Sequence, residues 1–401
     1  MSQPQFAAKL GVHGRTVRHW EAGRPIRVDW QAALDTLLSW QTPAVAAAFR
    51  GQLRLTSQLS PQEEPVDRRQ LFKVGAVVGG LAAIGLEDQE RVRWLATGTG
   101  QADLTDVENV RTALYAAQQL DDKLGSPAAQ GLVISAQQLT DAMLSDCSAE
   151  LRPHVLALNA ELTGFAGCLA WDEGDYGTSA RLYNDAREDA HEAEDADLGA
   201  YMLCHLSQLA IWQERPRVSL DHAVAARSWV AQTDDQRLRA YVAMRAAEAA
   251  AGAKQQQACL AALDEADCAI EGLQPCHPSE SRAYFVSAGM IESYRGNCLY
   301  LLGDPAAAAD ASRRSLVLMD PLYTRDRAIS LLELERSLVQ LDEIEEAASV
   351  VGDAADLTRK NRSPRLSKAI QDGHKALSPW STTRAVQQLD RRLCARDIVV
   401  V

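Results

Sequence analysis

Aromatic side chains are scarce, 5% of 401 residues with only five phenylalanines, while alanine is abundant. Sandwiches and barrels build their cores from aromatic and β-branched residues, so this scarcity argues for closely packed helices instead. Cysteine occurs eight times, at 147, 168, 204, 259, 268, 276, 298 and 394, but never as Cys-x-x-Cys or at a spacing typical of zinc. These read as reduced thiols, mostly buried, and no metal site is expected. His191-Glu192 lacks the second histidine of a zincin, and no Gly-x-Ser-x-Gly, phosphate loop or dinucleotide fingerprint occurs. The expectation is a cytoplasmic protein with no catalytic residues, no cofactor and no enzymatic activity. The apolar run from Val74 to Leu86 has only thirteen residues, too few to span a bilayer.

Charge is unevenly spread. Between residues 1 and 57 seven basic residues face three acidic ones, a balance of +4, which leaves −17 for the remainder of a chain whose net charge is −13. A basic head on an acidic body suits a nucleic-acid reader joined to a part that phosphates repel. The head opens with a short predicted helix, capped by Ser2, whose apolar face is Phe6, Ala7 and Leu10; Gly11 follows as its stop. A second helix begins near His13 or Gly14 and buries Val17 and Trp20 before Gly23 and Pro25 end it. Two helices about a glycine turn form the core of helix-turn-helix. The outward residues Arg15, Thr16, Arg18 and His19 can donate to phosphates or guanine edges.

The pairs and triplets Ser2-Gln3, Phe6-Ala7, Leu10-Gly11-Val12, Thr16-Val17 and Trp20-Glu21, with Gly23, resemble in register the XRE (Cro/repressor-like) family. The resemblance covers about the first forty residues. It implies a phosphate contact from Gln3 and base reading from Arg15 and His19, with Thr16 and Arg18 beside them. Gly14 falls on a third reading position without a side chain, and His13 replaces the usual small hydroxyl cap. The XRE fold has a further helix before Ser2 and a basic partner for Glu21, so the expectation is a start placed too late, with a native chain that is longer; the alternatives are a natural truncation and a helix supplied by a partner.

"SQLSPQEEPVD", Ser57 to Asp67, marks a linker. "DRRQLFKVGAVVGGLAAIGL", Asp67 to Leu86, resembles a twin-arginine export signal but follows the head instead of leading the chain, and reads as a buried or docking helix. From about Leu104 a loose two-helix unit recurs. It shows a turn pair and a small residue six positions on: Gly174-Asp175 with Ala180, Gly252-Ala253 with Ala258, Gly303-Asp304 with Ala309, Leu341-Asp342 with Ala347, and more weakly Glu214-Arg215 with Leu220. The steps of 40, 38, 51 and 38 residues mean stacked helix pairs. Gly167 and Gly296, with Tyr176 and Ala186, make this part resemble the tetratricopeptide (TPR) repeat, although the steps exceed that repeat's length and the small residue sits one place late. The resemblance implies a concave groove for a peptide, small molecule or partner protein. The basic stretch Arg362 to Trp380 reads as a solvated cap.

The expected fold is all-α: helix-turn-helix at 1–56, a linker with an apolar helix at 57–100, a TPR-like α-solenoid at 101–361 and a capping segment at 362–401. Together the resemblances suggest a DNA-binding transcriptional regulator of actinobacterial type. It would act as a homodimer on operator DNA through Gln3, Arg15, Thr16, Arg18 and His19. The alternative is a TPR-like adaptor whose head no longer binds DNA.

Overall fold

The computed structural model describes residues 102–359 and 361–395. The chain divides into two compact units, Met1–Gly85 and Leu86–Val401, and all described residues lie in the second. The expected DNA contacts Gln3, Arg15, Thr16, Arg18 and His19, the first-helix question and the apolar segment after Arg68-Arg69 fall outside the described residues.

Fourteen α-helices and two short 3-10 turns make up the described residues, which contain no strand. The helices alternate as antiparallel pairs: α1 (Leu104–Leu124) with α2 (Ser126–Asp146), α3 (Arg152–Asp172) with α4 (Tyr176–Glu192), α5 (Ala196–Trp212) with α6 (Pro216–Trp229), and α7 (Gln236–Gly252) with α8 (Gln256–Ile270). After a long connection come α9 (Ala288–Leu302) with α10 (Pro305–Leu318), α11 (Thr324–Gln340) with α12 (Ile344–Leu357), and α13 (Pro364–Ala376) followed by α14 (Arg384–Cys394). Local sequence sets many of the starts. Asp103, Asp175, Asp195, Asp235, Ser287, Asp304 and Ser363 accept backbone N–H bonds at helix N-termini. Pro216, Pro305 and Pro364 occupy first-turn positions where a missing N–H costs nothing.

The turns inside the five pairs from α3 to α12 share a backbone feature. Gly174, Glu214, Lys254, Gly303 and Asp342 all take a positive φ, between 56° and 92°, and the spacing between them is 40, 40, 49 and 39 residues. This corrects the repeat register read from sequence. Gly252 is not the turn residue but the end of α7, where a β-carbon would meet Ile211 at 2.8 Å; the turn falls two residues later on Lys254. In the corrected register the residue five after each turn is Ser179, Ser219, Cys259, Ala308 and Ala347. Every one is small and fully buried. The departure from the TPR pattern seen in sequence, a small residue one place late, therefore disappears. The glycines seven before the turn hold their expected role: a β-carbon on Gly167 would lie 2.8 Å from the Tyr183 ring, and one on Gly296 would lie 2.6 Å from Ser312 Oγ.

The array closes on itself. α1 packs against α11, and α3 against α13, which joins the end of the array to its beginning. At the seam the Arg362 amide donates to Leu124 O (2.9 Å), and Asn361 Nδ2 donates to the carbonyls of Asp121 (3.2 Å) and Asp122 (3.0 Å). Gly125, with φ +91°, allows this approach: a β-carbon there would sit 2.9 Å from the Arg362 backbone. The expected solvated cap is thus corrected: α13 packs against α3, α11 and α12 and buries Leu366 and Ile370, so it is part of the closure. The extra residues of the 49-residue step form the connection between α8 and α9, which also reaches the opening helices. Arg282 pairs with Asp195 (2.8 Å) and Glu161 (3.4 Å), and the Tyr284 hydroxyl donates to Asp122 at 2.5 Å.

Candidate functional site

The register that sets the turns also selects one face of each first helix. Counting back thirteen residues from the turns of α5, α7, α9 and α11 gives Tyr201, Tyr241, Met290 and Ile329. Nine back, starting with α3, stand Phe165, His205, Arg245, Tyr294 and Glu333; six back stand Cys168, Gln208, Glu248, Asn297 and Arg336. Spacings of four and three residues put these positions on one helix face. All fourteen line a single cavity of about 620 Å³. α1 adds Gln118, Asp121 and Asp122, α13 adds Arg365, and the long connection adds Tyr284 and Phe285. A volume of this size suits a short peptide or small molecule.

Nine carboxyl groups and four guanidinium groups line the cavity. Most of the arginines are already engaged. Arg245 donates to Glu248 (2.7 Å) and to the Tyr294 hydroxyl, and its guanidinium lies 4.8 Å and 4.3 Å from the ring centres of Tyr241 and Tyr294. With its amide oxygen turned toward Arg245, Gln208 accepts from both terminal nitrogens at 3.0 and 3.2 Å. Arg325 pairs with Asp121 at 2.9 Å. Arg365 lies 3.4 Å from Asp172 and 3.8 Å above the Trp171 ring. Asp172 further accepts from Ser126 (2.8 Å) and Ser363 (2.6 Å). Burial would raise its pKa, but Arg365, Arg325 and the two hydroxyls outweigh it and hold the carboxyl below its ordinary range. Arg336 instead stacks over Tyr300, 4.1 Å from the ring centre.

In other carboxyls burial outweighs the compensation. Glu333 accepts only from Ser293, at 2.9 Å, and burial pushes its pKa up to about 7 against the pull of Ser293 and Arg336. Burial likewise lifts Asp122 to about 7, opposed by Arg325 and Tyr284, and raises Asp326. Glu335 is 1% exposed, its Oε1 has no hydrogen-bond partner, and burial lifts it to about 7. The Gln118 amide oxygen is also buried without a partner. His205, stacked on Tyr183 at 5.0 Å between ring centres, is pushed down to about 3 by burial and then by Arg245, so it is neutral at physiological pH.

Among the described residues there is no cluster of three metal-ligating side chains. All eight cysteines are free, three of them fully buried and two exposed. No described helix is long and apolar enough to cross a membrane. Sequence reasoning assigned a binding role to none of the cavity residues. The signal was present as aromatic and charged residues recurring at fixed distances before each turn, but placing the third turn on Gly252 hid it.

No protein-family profile matches the chain, and no curated protein sequence does. Among solved structures it is similar to a Rap protein complexed with competence and sporulation factor, at 12% identity and a TM-score of 0.43, over 72% of this chain and 98% of that one. It is also similar to a signal-transduction ATPase with numerous domains and a tetratricopeptide repeat sensor, from Pyrococcus horikoshii. There the identity is 11% and the TM-score 0.42, over 84% of this chain and 50% of that one, so the chain spans half that protein's length.

Proposed function

We propose that the helical array is a binding module that encloses a short peptide or small molecule in its central cavity. One observation carries the reading: the same three register positions of successive first helices converge on a single enclosed space. Side chains that served only to hold helices together would not need aromatic and charged groups there, since the small residues at the pair crossings already do that work. The module is a receptor or adaptor, and this part of the reading stands whatever the head does.

The XRE-like segment extends it. A ligand-binding array joined to a DNA reader is a regulator whose DNA affinity depends on the ligand, with Arg15, Arg18 and His19 of two protomers on half-sites about one helical turn apart. Its support is the sequence pattern and the basic charge of the head. The adaptor reading keeps the array's role and drops DNA.

The binding reading is tested on the full chain with pools of five-residue peptides of random flanking sequence. The wild type should retain a subset of peptides. Asn297→Trp and Ile329→Trp, which fill the cavity from two walls, should retain none while keeping wild-type helix content by circular dichroism. Equal retention by folded variants and wild type would place binding elsewhere and defeat the reading.

A further inference from the structure

Resting on that reading, the chemistry of the walls narrows the ligand. An anion would have to compete for Arg245, Arg325 and Arg365, each already paired with a carboxylate, and for Arg336, which is stacked on the Tyr300 ring beside Glu333 and Glu335. On the other side of the ledger stand acceptors with little or nothing bound to them. Among the described residues Asp326 has no ion pair, Glu333 accepts from one hydroxyl, and Gln118, only 8% exposed, presents an amide oxygen with no partner. These acceptors come from two different parts of the ring, α1 and α11, which the closure brings together. Aromatic residues including Tyr201 and Phe285 line the same cavity.

We propose that the cavity selects ligands bearing a guanidinium or ammonium group on an apolar or planar body, the cation held by Glu333 and Asp326 with Gln118 as a neutral acceptor, and the body against Tyr201 and Phe285. A cation satisfies acceptors inside the cavity that have few partners, and a carboxylate–cation bond in a partly desolvated site is among the stronger non-covalent contacts. Aromatic faces add cation–π attraction. Electrostatics point the same way: burial, and to a smaller extent Glu248 and Asp326, raise the Glu333 pKa against the pull of Ser293 and Arg336, so a positive charge beside Glu333 relieves both burial and like-charge cost.

The test titrates full-length protein with four peptide pools that differ only at the central residue, Arg, Lys, Gln or Glu, and with L-arginine amide and spermidine as free cations. The Arg and Lys pools should bind at least about ten-fold more tightly than the Glu pool. Glu333→Gln, nearly isosteric, should shrink that preference to about three-fold or less and leave the Gln pool unchanged; Asp326→Asn serves as an independent second variant. Binding of the free cations at comparable strength identifies a small amine or guanidine as the source, and binding of peptides alone identifies a basic peptide. A preference for the Glu pool, or a cation preference unaltered in both variants, overturns the proposal while cavity-dependent binding survives. No binding of any probe to the wild type overturns the proposal and the binding reading together.

Discussion

A buried carboxyl without a partner weakens a fold, and Glu335 is one: 1% exposed, one oxygen unpartnered, its pKa lifted by burial to about 7. Folded Glu335 holds its proton to higher pH than the unfolded chain, whose glutamates titrate near 4.5. Its contribution is therefore fully present below about pH 4.5 and lost as pH rises toward 7. Asp122 and Glu333 have the same sign. Glu335→Gln should raise unfolding stability by on the order of 2–3 kcal/mol at pH 8 and change it little at pH 4.5. Urea unfolding at both pH values checks this, and an equal change at both would show that the carboxyl is not held neutral. On the regulator reading proposed above, Arg15→Ala should lower affinity for a specific operator by about 1–3 kcal/mol, the value of a bidentate guanine contact, while Gln3→Ala should weaken operator and scrambled DNA alike. Gel-shift titrations on both DNAs separate the two roles.

Helix pairs depend on close crossings and on strained turns, and each makes an opposite prediction. Gly167→Ala drives a methyl into the Tyr183 ring and should cost about 1–3 kcal/mol. Asp342, a non-glycine residue at φ 62°, should be improved by glycine, with Asp342→Gly gaining about 0.5–1 kcal/mol. Thermal or urea unfolding of the two variants reads both signs. At this scale much was legible from sequence: alanine richness, the two-helix period and the crossing glycines describe the array. What was hidden follows from one physical fact. A left-handed turn is often marked by glycine, but here Glu214, Lys254 and Asp342 adopt it, so a glycine-based register slipped at Gly252. That slip moved the inner face out of view. The contacts that close the ring were hidden for another reason. Asp172 and Ser363, or Asp121 and Arg325, lie far apart in sequence, and no local pattern pairs them.

Across the whole array, closure is the property that turns a solenoid into an enclosed cavity. Asp172 sits at its centre, holding Ser126 and Ser363 and facing Arg365 and Arg325. Asp172→Ala leaves two buried guanidinium groups less compensated and should cost about 3–5 kcal/mol. Hydrogen exchange should then rise together at 121–126 and 361–366, because the seam opens as a unit. A rise confined to one side would show the contacts to be independent. The central claim is that ligand sits inside the ring, on the inner faces of the first helices. Hydrogen exchange of the full chain, with and without the tightest-binding peptide of the pools, tests it directly. The account predicts added protection in α5, α7, α9 and α11, around 201–212, 241–252, 290–301 and 325–336, with the outer helices α6, α8 and α10 unchanged. Protection confined to those outer helices would contradict it.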